Sequence, residues 1–174
     1  MGKSIILSTF ILLCSVIIES SILSNIYFLQ VVPDIVLICS IYFSLLNGKT
    51  YGETTGFISG LLLDFISGVP FGFNCLFRTI IGYISGLFSK TIIISGIFIP
   101  MISIGIATIL KYFLIILISV FYPTVITHVT SIISYKFLFE LIANIILAPF
   151  IFKLLSFYNK TLSIVDEKDQ IDNV

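Results

Sequence analysis

The chain has 174 residues, of which 58% are hydrophobic and 10% are charged, and its formal net charge is zero. A soluble domain carries roughly 25% charged residues, so this composition excludes a water-soluble globule. It predicts a polytopic membrane domain over residues 1–160, surrounded by the lipid bilayer. A chain without excess positive charge also offers no basic surface to nucleic acid, so no nucleic-acid partner is expected.

Apolar segments recur along the whole chain, and a spanning helix needs about 20 mostly apolar residues. The sequence therefore predicts an all-α bundle of about six transmembrane helices. These spans cover residues 4–24, 33–47, 52–67, 75–89, 98–122 and 134–158. Three of them are short and would need flanking residues or a locally thinner bilayer. A re-entrant hairpin around residues 92–100 is the alternative that would change the helix count.

The basic residues are distributed unevenly between the two ends of such a bundle. With six helices, the side that holds the N-terminus contains Lys3, Lys49, Lys90, Lys153, Lys160 and Lys168. The opposite loops, residues 25–32, 67–74 and 123–133, contain no lysine or arginine. The positive-inside rule therefore places both termini, and the polar tail over residues 161–174, in the cytoplasm.

Glycines recur every four residues in the third predicted helix and again in the fourth. The positions are Gly52, Gly56, Gly60, Gly82 and Gly86. Lipid provides no hydrophobic drive for helix association, and small residues at this spacing let two backbones approach closely. We expect these glycines to pack the two helices together or against a partner, with a glycine-lined ligand groove as the alternative.

Several ionisable residues fall inside the predicted spans, where an unpaired charge is costly. Asp64 and Arg78 lie near the same membrane face, which predicts an ion pair between them, with hydration of both side chains at the interface as the alternative. Lys111 lies near the middle of the fifth span and is expected to face the bundle interior, a hydrogen-bonded neighbour or a partner's helix. Lys136 and Glu140 are four residues apart on one helical face, so the sequence predicts a second pair.

The sequence offers no arrangement of catalytic groups, which excludes the common enzyme classes. No nucleophile, base and orienting group fall together, and no nucleotide-binding motif is present. His128, the single histidine, has no acidic or thiol neighbours in sequence, so no metal site is predicted. We therefore expect neither a catalytic, metal or cofactor-binding residue nor a cofactor.

One run combines these features in a characteristic order: "VVPDIVLICSIYFSLLNGKTYGETTGFISGLLLDFISGVPFGFNCLFRTIIGYISGLF". Pro33 and Asp34 enter the second helix, which leads to a basic, glycine-containing turn. The Gly-Phe…Gly-Leu-Leu-Leu-Asp helix ends near Asp64, and a "SGVPFGFN" turn precedes the Gly-x-x-x-Gly helix. Over residues 31–90 this order resembles the rod shape-determining MreD family.

The resemblance implies a non-catalytic protein of the bacterial inner membrane that takes part in the cell-elongation (rod) complex. The partners it implies are MreC, a bitopic periplasmic protein in direct contact, and, at the level of the complex, MreB, RodA and the RodA transpeptidase. It implies an architecture similar to small membrane substrate-binding subunits of vitamin transporters. Structural or interaction roles are expected for Pro33, Asp34, Asp64 and Arg78 within this run, and for Lys111 because it lies inside a span.

A substrate-binding subunit of a vitamin or micronutrient transporter is the alternative function. Six short helices and a sheltered polar group suit such a subunit. However, the first helix lacks the Ala-x-x-x-Ala face with which these subunits often meet their coupling subunit. An intramembrane enzyme or ion channel would require paired catalytic groups or a continuous polar stripe, and neither is visible.

Overall fold

The computed structural model describes residues 2–22, 32–89, 96–120 and 136–163. Within these ranges the chain is helical and contains no strand, which confirms the predicted all-α class. The first helix, α1, covers Gly2–Ile17 and continues into a π-helical turn over Ile18–Ile22. The other helices are α2 (Ile35–Asn47), α3 (Lys49–Ser67), α4 (Phe73–Leu87), α5 (Phe98–Ser119), α6 (Lys136–Ser156) and the short α7 (Asn159–Leu162).

Helix α2 is the central helix of the bundle and contacts each of the other five long helices. Ten consecutive residues, Val36 to Leu45, are buried. A helix that is apolar on every side lies either in a protein core or in a membrane. The neighbours that surround α2 explain why its sequence shows no polar face. The buried core extends from α2 to side chains of its neighbours, including Phe77 and Phe152.

Helices α1, α5 and α6 form the outside of the bundle together with parts of α3 and α4. Three described segments are long and apolar enough to cross a membrane, and they are Gly2–Ser21, Phe98–Ile118 and Lys136–Ser156. Their outward faces carry large apolar side chains with high exposure, such as Ile6 at 71% and Phe150 at 71%. Such surface suits contact with lipid tails. That α2, α3 and α4 also span the bilayer stays a prediction.

Successive helices run in opposite directions, so the bundle has two distinct ends. We call the end where α2, α4 and α6 begin the network end, and the other the opposite end. At the opposite end Gly48, with φ of +92°, connects α2 directly to α3. There too, the buried carbonyl of Leu162 accepts hydrogen bonds from Ser4 Oγ at 2.5 Å and from Asn47 Nδ2 at 3.0 Å. Helix α7 is thereby attached to α1 and α2.

Candidate functional site: a buried ion network

Asp34 lies at the start of α2 and is the centre of a group of buried charges. Its side chain caps the helix, since Oδ1 accepts a hydrogen bond from the Leu37 amide at 2.8 Å. Asp34 is 2% exposed, so protein groups and not water must stabilise its negative charge. Aspartate is a favoured N-cap residue, which explains why α2 begins here.

Two cations neutralise this carboxylate. Arg78 Nη2 from α4 donates to both oxygens of Asp34 at 2.8 Å, and Lys111 Nζ from α5 donates to Oδ2 at 2.6 Å. Lys111 Nζ also donates to Glu140 Oε1 on α6 at 2.7 Å. The Tyr112 hydroxyl donates to Glu140 Oε2 at 2.5 Å. We call Asp34, Arg78, Lys111 and Glu140 the ion network.

Further hydrogen bonds strengthen the contacts of the ion network with α5 and α6 and extend them to the turn after α1. The Asp34 amide donates to Asn144 Oδ1 on α6 at 2.8 Å, and Asn144 Nδ2 donates to Thr108 Oγ1 on α5 at 3.2 Å. Glu19, in the π-helical turn after α1, accepts from the Val36 amide at 3.3 Å. Side chains from α2, α4, α5 and α6, and from the turn that follows α1, therefore meet at one place.

The ion network contains two positive and two negative groups, so its formal charge is balanced. Arg78, Asp34 and Glu140 are each less than 10% exposed. Removing one member of a buried pair leaves an uncompensated charge and costs about 3–5 kcal/mol. Moving one of the four helices away from the others would separate a buried ion pair, so the ion network holds these helices together.

The guanidinium of Arg78 also lies 5.7 Å from the centroid of the Phe77 ring.

The geometry of the ion network suits holding helices in place. Each carboxylate accepts from a cation or a hydroxyl, so none is presented as a free base. Among the described residues no cluster of three histidine, cysteine or acidic side chains could hold a metal ion. His128 and residues 164–174 lie outside the described residues. The four charges of the ion network connect α2, α4, α5 and α6.

Asp64 has a different role from the one its sequence position suggested. Its carboxylate accepts from the backbone amides of Gly72 at 2.9 Å, Asn74 at 2.9 Å and Cys75 at 3.3 Å. It therefore caps the N-terminus of α4, where unsatisfied amides and the helix dipole favour a negative charge. The predicted Asp64–Arg78 ion pair is wrong, because amides that lie closer in the chain satisfy Asp64.

The second predicted pair is also wrong. Lys136 is exposed at the beginning of α6, whereas Glu140 is buried and accepts from Lys111 and Tyr112. The spacing of four residues does place Lys136 and Glu140 near each other on the helix. The buried position of Glu140 decides the outcome, because an ammonium group from α5 reaches it inside the bundle while Lys136 stays at the surface.

The five glycines lie where α3 and α4 face each other. A Cβ atom at Gly52 would collide with the Gly82 carbonyl oxygen, and one at Gly56 with the Arg78 carbonyl oxygen. At Gly60 it would lie 2.5 Å from Cys75 Cα, and at Gly86 it would overlap the backbone of Lys49. Of all described helix pairs, α3 and α4 have the most extensive contact. The missing side chains allow this approach.

The sequence reasoning named Asp34, Arg78 and Lys111 but did not connect them. It also missed Asn144 and Tyr112 as members of the polar interior. One signal was available: the predicted spans hold cations and acids in comparable number, and membrane interiors demand that such charges be paired. Pairing by sequence distance led to the wrong partners, because the true partners come from distant helices.

Comparison with known proteins agrees with the motif order noted in the sequence. The family model of the rod shape-determining protein MreD matches residues 2–158, nearly the whole chain. No curated protein and no solved structure matches the chain. A match of this length identifies the protein as a membrane component associated with the rod-shape complex. With its apolar helices, the chain belongs to the MreD family of rod shape-determining proteins.

Proposed function

We propose that this protein is a non-catalytic framework of the cell-elongation complex in the bacterial inner membrane. In this proposal it pairs directly with MreC and so organises or regulates lateral peptidoglycan synthesis. MreB, RodA and the RodA transpeptidase join at the level of the complex. Both termini are cytoplasmic, which makes the network end periplasmic.

The observation that carries the proposal is the buried ion network centred on Asp34. Its charges bond to one another and join α2, α4, α5 and α6, so the interior is used to fix helix positions. A framework with fixed helices presents a constant outer surface to other membrane proteins. A protein that acts by binding other membrane proteins fits this arrangement better than one that catalyses a reaction inside the bundle.

The distribution of lysines supports the proposed orientation. Lys3, Lys49 and Lys153 lie at the opposite end of the bundle, whereas Lys136 lies at the network end. Cytoplasmic ends of membrane helices carry the excess of basic residues. The opposite end is therefore the cytoplasmic end in this proposal.

The test is affinity purification of the tagged chain from native membranes in mild detergent, followed by mass spectrometry of retained proteins. Recovery of MreC together with the elongation synthases is the expected result. An unrelated multi-pass protein with the same tag serves as the control for non-specific retention. Recovery of ATP-binding coupling subunits or of a bound vitamin would overturn the proposal in favour of a transporter subunit.

A further inference from the structure

Glu53 differs from every other carboxylate in the described residues. Four of the five accept hydrogen bonds from this chain, and these are Glu19, Asp34, Asp64 and Glu140. Glu53 is exposed, and no described group bonds to its side chain. The other described acids of this protein are bonded within the chain. The exposed carboxylate of Glu53 can therefore pair with a group of another molecule.

The position of Glu53 is close to one membrane interface. It lies four residues after Lys49, which is the first residue of α3, and four residues correspond to about one helical turn of 5.4 Å. This places Glu53 near the opposite end of the bundle, which is cytoplasmic in the proposed function. Beyond it, α3 continues with large exposed apolar side chains such as Phe57 at 51% and Phe65 at 71%.

Glu53 lines a groove on the outer surface of α3 and α4, and we call this the α3–α4 groove. Its volume is about 390 Å³, and its lining residues are Glu53, Thr54, Phe57, Ile58 and Thr79. The hydroxyls of Thr54 and Thr79 donate to carbonyls of their own helices. They therefore act as small residues, the kind that permits close packing of another helix in a membrane.

We infer that the α3–α4 groove binds a transmembrane helix of a single-span partner, with a lysine or arginine of that helix beside Glu53. Spanning helices carry basic residues preferentially at their cytoplasmic ends, so such a helix brings its cation to the depth of Glu53. A cation that meets an unpaired carboxylate near the low-dielectric membrane is attracted more strongly than in water. The inference rests on the proposed function, because it uses that orientation and the bitopic partner.

Charge distinguishes this groove from a second surface groove between α4 and α5. That groove has a volume of about 160 Å³ and is lined by apolar and small residues, including Ser85, Ser103 and Ala107. It offers no charged group, so a lipid tail would fill it as well as a helix. Of these two grooves, the α3–α4 groove is the one whose lining includes a charged group that can select a partner.

The first experiment maps the contact by photo-crosslinking in native membranes. A photoreactive amino acid replaces Phe57 in the α3–α4 groove, and in a matched variant it replaces Ile142. Ile142 is equally exposed, at 51%, but lies on α6, which does not line the groove. We expect adducts with the bitopic partner from position 57 and not from position 142.

The second experiment changes the charge. Glu53→Lys is expected to reduce the partner retained in purification by about 3- to 15-fold, the range of single polar contacts between membrane helices. Glu53→Gln should give a smaller loss in the same direction. The melting temperature of the purified variants should equal that of wild type, since Glu53 bonds to no described group. Lys136→Glu, an exposed charge reversal outside the groove, is the control and should retain the partner fully.

The outcomes separate this inference from the proposed function. If wild type retains the bitopic partner but position 57 crosslinks only to lipid or to a second copy of the chain, the groove assignment is wrong and the proposed function stands. Full retention of the partner by Glu53→Lys would also overturn the inference, because no cation of the partner would then lie beside Glu53, and the proposed function would stand. If wild type retains no bitopic partner, both fail. Adducts at position 57 together with loss of the partner in Glu53→Lys support both.

Discussion

The α3–α4 hairpin and the ion network join helices in opposite ways. Within the hairpin, glycines let backbones touch, and Asp64 bonds to amides 8 to 11 residues away in the chain. Asp34, the centre of the ion network, bonds to groups 44, 77 and 110 residues away. The contacts of the hairpin thus form between adjacent segments of the chain, whereas those of the ion network form only when four helices pack together. Substitutions in the two regions should differ in magnitude and in reach.

The largest expected effect is that of Asp34→Asn. Asparagine keeps the size and the helix-capping ability of aspartate, but it leaves Arg78 and Lys111 without their shared counter-charge. We expect the free energy of unfolding in detergent to fall by about 3–5 kcal/mol, measured by chemical denaturation. Glu53→Gln is the same chemical change at an exposed position and should have no measurable effect. Equal stability of the two variants would contradict the central role of Asp34.

The next effect tests the glycine contact by comparing alanine at two positions. Gly56→Ala places a Cβ against the Arg78 backbone carbonyl, so α3 and α4 must separate, at a cost of about 1–3 kcal/mol. Gly105→Ala places a Cβ 3.4 Å from the Ile145 side chain, which is ordinary contact. That variant should be neutral or slightly more stable, because alanine favours helix over glycine. Thermal melting of the two variants side by side is the measurement, and similar losses at both positions would argue against the close approach at Gly56.

A comparable but more local effect is expected for Asp64→Leu. It removes the acceptor of three amides at the start of α4, and unsatisfied backbone donors of this kind cost about 1–3 kcal/mol. Hydrogen exchange should accelerate at Gly72, Asn74 and Cys75 well before it changes in α5 or α6. Asp64→Asn keeps an oxygen acceptor and is the graded control. Wild-type stability, amide protection and complex yield in Asp64→Leu would count against this role.

The smallest effect is expected at the edge of the ion network. Tyr112→Phe removes the hydroxyl that donates to Glu140 while Lys111 still neutralises the carboxylate. Loss of one hydrogen bond to a charged group should lower the free energy of unfolding by about 1.5 kcal/mol. Tyr83→Phe, at an exposed tyrosine of α4, is the matched control and should have no effect. A loss as large as that of Asp34→Asn would mean that the hydroxyl, and not the lysine, secures Glu140.

The sequence indicated the contact between α3 and α4 through the spacing of Gly52, Gly56 and Gly60. It also indicated that Asp64 and Arg78 needed partners, because charges inside a span are costly. It did not indicate the partners correctly. Asp64 and Arg78 lie near the same membrane face in a helical hairpin. Proximity in the sequence therefore predicted an ion pair between them. In the structure Asp64 accepts from backbone amides at the start of α4, and Arg78 pairs with the carboxylate of Asp34.

What the sequence by itself determined is the membrane class, the helical fold and the glycine contact, because composition, run length and four-residue spacing are local properties. The MreD motif order belongs to the same category. Only the tertiary structure decided that Asp34 pairs with Arg78 and Lys111, that Lys111 reaches Glu140, and that no described group bonds to Glu53. The physical reason is that buried charges pair across space at about 3 Å, and this proximity arises only when helices from distant parts of the chain pack together.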